Sequence, residues 1–207
     1  MKRTFLIAVL LFVEIMAHAT LYTQSFGGGT ITDGNAVGQT FGGTFTAAPS
    51  GYTVSSLTID LNISGGYNGD LYAYLVAPDG TMIVLMNQPG VSVNGFGASG
   101  AGMNITLADG AFSSIQGVTS SSILSGTYNA AGALSGFNGS SADGTWELYF
   151  ADLSNGGGTS TLDSWTLNIT AVPEPMNVAL AVFASTMLVF GFHRKNRAIS
   201  PPVLAIK

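Results

Sequence analysis

The stretch from Ser56 to Met86, SLTIDLNISGGYNGDLYAYLVAPDGTMIVLM, limits what this chain can fold into more than any other. Leu57, Ile59, Leu61 and Ile63 alternate with Thr58, Asp60 and Asn62, the period of a strand with one apolar and one polar face. Ser64 to Gly69 is a Gly/Asn turn, and a second strand is predicted from Leu71 to Val76. Pro78-Asp79-Gly80 sets a tight turn, because proline fixes φ and glycine accepts positive φ. The third strand, Thr81 to Met86, is apolar on both faces and is predicted to be central. Three strands joined by polar turns predict an antiparallel meander. Its apolar face requires a second sheet to cover it.

The rest of the chain repeats this character. Thr20 to Pro49 is rich in Gly and Thr and contains two similar pieces, Gln24-Ser25-Phe26-Gly27-Gly28 and Gln39-Thr40-Phe41-Gly42-Gly43. One recurrence does not define a repeat architecture. Edge strands are predicted near Thr30–Thr32 and Gly38–Thr46, around an Asp33-Gly34-Asn35 turn. Gln88 to Gly102 is a glycine-rich loop, Asn104 to Leu107 a short strand, and Ala108 to Ser122 a polar loop. Gly126 to Ser141 is predicted to be irregular. Trp146, Leu148 and Phe150, then Trp165, Leu167 and Ile169, mark the strands of a final hairpin around the turn from Asp152 to Ser160. Many short strands, glycine-rich turns and no helical period before residue 172 predict an all-β sandwich with both tryptophans in its core.

The two ends differ from this body. Lys2 and Arg3 precede an apolar run from Phe5 to Val13, and Ala17-His18-Ala19 has the small-x-small form of a signal peptidase site. A signal helix over 1–19, cleaved after Ala19, is expected. At the other end, Met176–Phe192 is apolar and about 25 Å long as a helix, enough to span a bilayer, with the basic cluster His193-Arg194-Lys195-Asn196-Arg197 behind it. The positive-inside rule leaves the acidic body on the outside. The plainer alternative is a buried C-terminal helix.

Charge excludes several functions. All six Lys and Arg lie in the ends, and residues 20–171 hold nine acidic side chains and no basic one. A body of about −9 without a cation cannot neutralise phosphates, so nucleic acid is excluded as a partner. Both histidines, His18 and His193, also lie in the ends, and cysteine is absent. Nucleophile–base sites of the Ser-His-Asp, Cys-His or Ser-Lys kind therefore have no place in the body, nor does a zinc site with nitrogen or sulfur ligands. A carboxylate pair for glycoside hydrolysis is compatible with the composition, but no spacing favours one. The body is expected not to be an enzyme. Its carboxylates are solvated, or they hold a hard cation such as Ca²⁺.

Two blocks, Gly69–Gly90 and Leu134–Ile169, resemble the P domain of proprotein convertases, also called P/Homo B. The marks are Gly69-Asp70-Leu71, Pro78-Asp79-Gly80-Thr81, Phe137-Asn138-Gly139, Gly144-Thr145-Trp146, Asp152 and Leu162-Asp163-Ser164-Trp165. Ile31-Thr32-Asp33-Gly34-Asn35 is similar to the family's entry turn. The resemblance implies a jelly-roll-like antiparallel β-sandwich over residues 20–171. If that sandwich closes, loop ends bearing Asp33, Asp70, Asp152 and Asp163 converge as candidate Ca²⁺ ligands. The plainer reading of an aspartate beside glycine is an Asx turn, and for Asp79 it prevails. Tyr67, Tyr72 and Tyr74 are either an exposed strip for sugar stacking or ordinary sheet surface.

Val172-Pro173-Glu174-Pro175, the apolar run and Arg194, Lys195 and Arg197 together resemble a PEP-CTERM sorting signal. It implies processing by an exosortase near the Pro-Glu-Pro and release from a transient membrane anchor over 172–207. The expectation is an exported, non-catalytic protein of the cell surface or extracellular matrix, with extracellular polysaccharide as a candidate partner. The alternative is an accessory P domain that assists a subtilisin-like serine protease in trans.

Overall fold

Strands form wherever apolar and polar side chains alternate, and two sheets result because each has one apolar face to bury. The computed structural model describes residues 18–174 and positions 183 and 187. In chain order the elements are β1 (Thr20–Ile31), β2 (Gln39–Phe45), β3 (Tyr52–Gly65), β4 (Leu71–Val76), β5 (Met82–Asn87), a one-turn α1 (Val91–Asn94), β6 (Met103–Leu107), β7 (Leu124–Tyr128), β8 (Gly144–Asp152) and β9 (Ser160–Pro173). One sheet has the order β1-β9-β3-β6-β7 and the other β2-β8-β4-β5. The pairings nest: β1 with β9, β2 with β8, β3 with β6, β4 with β5. All pairs are antiparallel except β6 with β7, which run parallel. The domain is an all-β sandwich.

Five expectations need correction. The predicted meander is split, because β3 lies in the five-stranded sheet while β4 and β5 pair in the other. The predicted final hairpin is split in the same way, with β8 in one sheet and β9 in the other. The strand read as central, β5, is an edge strand. Its free edge is closed by the following chain, with Ala131 N donating to Leu85 O at 2.9 Å and Gly132 N to Val84 O at 2.8 Å; a register shift at Ala73/Tyr74 lets both Leu85 and Met86 be fully buried, while Met82 stays 56% exposed. Finally, the segment read as irregular contributes β7 and a 3₁₀ turn at Leu134–Phe137. The first edge strand is also far longer than predicted, starting at Thr20. The expected signal segment over 1–17, the apolar run 176–192 and the tail 193–207, with Ala17, Pro175, Arg194, Lys195 and Arg197, lie outside the described residues. Among the described residues no helix is long and apolar enough to cross a membrane.

The core sits between the sheets. Trp146 from one sheet and Trp165 from the other are buried at 0% and 1% exposure, as alternation in their strands predicts. Phe137 meets Trp146 edge-on at 5.3 Å, and Phe26 stacks on Trp165 at 4.3 Å. Trp146 Nε1 donates to Ala142 O at 3.3 Å, whereas Trp165 Nε1 is buried without a partner.

The two similar pieces near the N-terminus become β1 and β2, on opposite sheets, and they lock each other. Gln24 Nε2 donates to Thr44 O at 2.8 Å while its Oε1 accepts from Thr46 N at 2.8 Å and Ala47 N at 3.2 Å. Gln39 Nε2 returns the contact to Thr30 O. Phe26 lies where a side chain at Gly43 would project, 2.1 Å from an added Cβ, and Phe41 stands 3.2 Å from one at Gly29. Each glutamine thus closes backbone groups on the opposite strand, and each phenylalanine fills space left open by a glycine.

This lock makes a clean prediction. Gly43→Ala must displace the Phe26 ring and is expected to cost about 1–3 kcal/mol, the usual range for overpacking. Gly42→Ala, with nothing within 4 Å of its Cβ, is expected to stay within about 0.5 kcal/mol of the parent. Urea unfolding of the two variants measures the difference. The tryptophans give a second test. Trp146→Phe forfeits a hydrogen bond as well as volume, whereas Trp165→Phe removes an N–H that has none, so the first is expected to be the more destabilising by roughly 1 kcal/mol in the same assay.

Candidate functional site

Three of the four predicted aspartates meet at one end of the sandwich, because the loops that carry them are pinned by backbone hydrogen bonds. Asp70 closes a 3₁₀ turn, Asn68–Asp70, whose N–H groups are all used: Asn68 N donates to Gly100 O at 3.1 Å, Gly69 N to Ala98 O at 2.9 Å and Asp70 N to Tyr67 O at 3.1 Å. Only glycine fits at 69, where an added Cβ would lie 2.9 Å from Ala98 N and Gly97 Cα. Asn68 Nδ2 donates to Gly102 O at 2.8 Å, tying the turn to the loop that precedes β6. Asp152 ends β8 directly beside Leu71, and Leu153 N donates to Asp70 O at 2.9 Å. The neighbouring turns supply the rest. Asp33 accepts from Gly156 N through both carboxylate oxygens at 3.2 Å, and Asp152 Oδ1 accepts from Gly34 N at 3.3 Å and Ser154 N at 3.2 Å.

The electrostatics follow from burial and from the lack of cations. Burial and the neighbouring Asp152 carboxylate push the Asp70 carboxyl up to about 6, opposed by the Ser154 hydroxyl and reinforced by Asp33. Asp152 is fully buried and is also raised, by burial first and by Asp33, against the pull of the Ser154 and Gly34 N–H groups. Its second oxygen, Oδ2, is buried with no hydrogen-bond partner. Beside this pair lies an open cavity of about 360 Å³, lined by Tyr67, Asp70, Gln88, Val91, Phe96 and the 154–157 loop. Gln88 is the one non-glycine among the described residues with a positive φ, 50°, an uncommon conformation for a residue with a side chain.

The fourth predicted ligand lies elsewhere. Asp163 is exposed on β9 and accepts from Ser64 Oγ at 3.1 Å, and none of the interactions coupling the other three reaches it. Among the described residues no group of three or more His, Cys, Asp or Glu is set to hold a metal ion. Asp79 takes up its turn as read from sequence, accepting from Thr81 N at 2.9 Å, and that N–H with the Ser140 hydroxyl holds its carboxyl below the usual range.

The tyrosine strip divides. Tyr67 lines the end cavity, while Tyr72 and Tyr74 stand on the outer face of the four-stranded sheet, where Tyr74 stacks on Tyr149 at 4.4 Å. Of the residues read as a sorting motif, Val172 and Pro173 continue β9 opposite Thr53 and Tyr52, and Glu174 follows the strand half-buried. Ala19 is exposed just before β1. Gln88, Phe96 and Tyr149 carried no sequence signal of a role, since their positions depend on loop packing rather than on any local pattern.

The acidic end of this two-sheet β-sandwich offers carboxylates beside an open cavity, and residues 20–171 hold no His, Cys, Lys or Arg. The chain belongs to the proprotein convertase P-domain family: the family model matches residues 54–169, from within β3 to within β9. No curated protein matches it in sequence. Among solved structures it is similar to the serine protease of Aeromonas sobria, at 18% identity over 73% of this chain and 27% of that one, with a TM-score of 0.43. The same protease in complex with the chaperone ORF2 gives 17% identity over 75% of this chain and 27% of that one, at 0.44. FLHE gives 13% identity over 76% of this chain and all of that one, at 0.43. The chain thus spans about a quarter of the Aeromonas sobria proteases it is similar to.

The raised carboxyls set a pH dependence. A carboxyl with a folded pKa above its unfolded value takes up protons on folding, so it destabilises the fold above that value and ceases to do so below the unfolded one. From the Asp70 values of about 6 folded and 3.8 unfolded, Tm is expected to rise as pH falls from about 6 to about 4. Asp79 and Asp109, both lowered, act in the opposite sense: their stabilisation is present above the unfolded value and is lost as pH falls further. Calorimetry is expected to show a maximum near pH 4 to 5, and Asp70→Asn is expected to flatten the rise leading to it.

Proposed function

We propose that this chain is a non-catalytic accessory module: an exported P domain that docks on a subtilisin-like serine endopeptidase supplied in trans and stabilises it. The match of the P-domain model to residues 54–169 carries this reading, since it covers β4 to β8 in full and most of β3 and β9. The nested pairing of strands supports a jelly-roll description of the sandwich. The composition supports the absence of catalysis, because residues 20–171 contain no His, Cys, Lys or Arg to activate a nucleophile. Export through a signal segment ending at Ala19, and sorting by an exosortase at the Pro173-Glu174-Pro175 segment, belong to the same proposal. The sequence features at the two ends support them.

Purification of the full chain from culture fluid tests the reading. A stoichiometric serine protease in the same complex, whose half-life at elevated temperature shortens when the P domain is withheld, is the expected result. A chain that purifies alone, or with extracellular polysaccharide, and leaves the thermal lifetime of every co-secreted protease unchanged would overturn it. Hydrolytic turnover by the isolated chain would overturn the non-catalytic half.

A further inference from the structure

We infer that the cavity at the acidic end of the sandwich is a binding site for an arginine side chain presented by a partner polypeptide, with Asp70 as its contacting carboxylate. Four observations meet there. Asp70 is nine-tenths buried and lines the cavity. Beside it, Asp152 is wholly buried and keeps one carboxylate oxygen without any hydrogen-bond partner, in a body that contains no cation to offset either charge. Two neighbouring buried carboxylates with no cation of their own are costly to ionise, and a donor-rich cation entering the open cavity beside Asp70 offsets that charge. The walls are aromatic and apolar as well as acidic: Tyr67 and Val91 form them, and Phe96 stands at the rim with 79% of its surface exposed.

The walls separate an arginine from the other cations. At about 360 Å³ the cavity is far larger than a single metal ion needs, and its third nearby carboxylate, Asp33, already has both oxygens on Gly156 N. A guanidinium carries five N–H donors on a plane that stacks on aromatic faces. It can therefore donate to Asp70 while its plane meets the aromatic walls, and Gln88, which lines the same cavity, is a further acceptor. Gln88 is held for this by its strained backbone, whose N–H donates to Leu71 O at 2.8 Å and whose carbonyl accepts from Val91 N at 3.1 Å. Asp152 acts from behind, adding field without contact. The net charge of the body steers a basic partner toward this end.

The inference deepens the accessory-module reading and rests on it only for the ligand's being part of a polypeptide. The test uses the full chain and acetyl-Gly-Arg-Gly-amide, followed by backbone amide NMR shifts. The expected result is a saturable shift confined to Gly95, Phe96, Gly156, Gly157 and their neighbours, weakened roughly tenfold or more in Asp70→Asn, the usual loss for a charge-assisted hydrogen bond. Because Asp70→Asn removes a repelled buried charge, its Tm at neutral pH is expected to be no lower than the parent's, so lost binding is not lost folding. Phe96→Ala, at an exposed rim position, is expected to weaken binding several-fold with an unchanged Tm. No saturable shift, an equal response to acetyl-Gly-Lys-Gly-amide, an undiminished response in Asp70→Asn, or a shift of these residues by Ca²⁺ but not by the arginine peptide would each overturn the assignment. Peptide binding without a protease complex in culture fluid overturns the proposed function and leaves the pocket standing. A protease complex without peptide binding does the reverse.

Discussion

Nine carboxylates without one cation among them constrain this domain more than any single contact does. An ionised carboxyl that leaves water needs donors, and here those donors can only be neutral. The structure meets the requirement by placing the acids where backbone N–H groups lack strand partners. Asp109 takes Leu134 N and Ser135 N at 2.8 and 2.7 Å, which fastens the long β6–β7 connection to the 3₁₀ turn before β8. Asp60, on the outer face of the larger sheet, takes Thr106 Oγ1 at 2.6 Å and Asn168 Nδ2 at 2.8 Å, and so bridges β3 to both of its neighbours. Asp33, Asp79, Asp143 and Asp163 follow the same rule with an N–H or a hydroxyl. The acids therefore serve as the loop and sheet fasteners that ion pairs provide in other proteins. Asp152 Oδ2 is where the supply of donors fails, and the end of the sandwich around it is the part of the molecule left chemically incomplete.

Which residues face the core was legible in the alternation alone, and so was the burial of both tryptophans. Which strands pair was not. Alternation reports a face, and both sheets of a sandwich present the same kind of inner face, so a sequence cannot say on which of them a strand lies. Turn chemistry decides only where the connection is tight. Pro78-Asp79-Gly80 joins β4 to β5 as a true hairpin, with Gly80 N donating to Ala77 O at 2.9 Å. The Gly/Asn turn from Ser64 and the Gly-rich turn from Asp152 have similar composition but bridge the roughly 10 Å between sheets. Composition marks both as turns and is silent on that difference. The edge position of β5 is hidden for a related reason: an apolar run looks central, yet here a register shift turns Leu85 and Met86 inward, Met82 stays exposed, and residues 131 and 132 close the free edge by tertiary contact.

The candidate site was legible by half. Asp33, Asp70 and Asp152 stand out because each flanks a turn at a strand end, and strand ends of a sandwich gather at its two poles. Asp163 looks the same in sequence yet lies inside β9, at the register shift between Leu162 and Ser164, where it accepts from Ser64 instead. Gln88 and Phe96 had no signal at all. Their loop is positioned by Ala98 and Gly100 reaching across to the Asn68–Asp70 turn and to Pro89, contacts between segments that share no periodicity.

Two raised carboxyls side by side are also the starting point for acid–base catalysis, which makes the distinction between a reactive pair and a binding pair worth drawing from geometry. A pair that works on a substrate must present both groups to it. Here Asp152 has no exposed surface, and its Oδ1 is committed to two backbone N–H groups, so no substrate atom reaches it. Only Asp70 faces the cavity, and it is the group whose protonation responds to Asp152 rather than to a substrate. The two therefore act as one site with a hidden charge behind an accessible one. The arginine site proposed above uses this arrangement, with the accessible carboxylate as the contact and the hidden one strengthening its field.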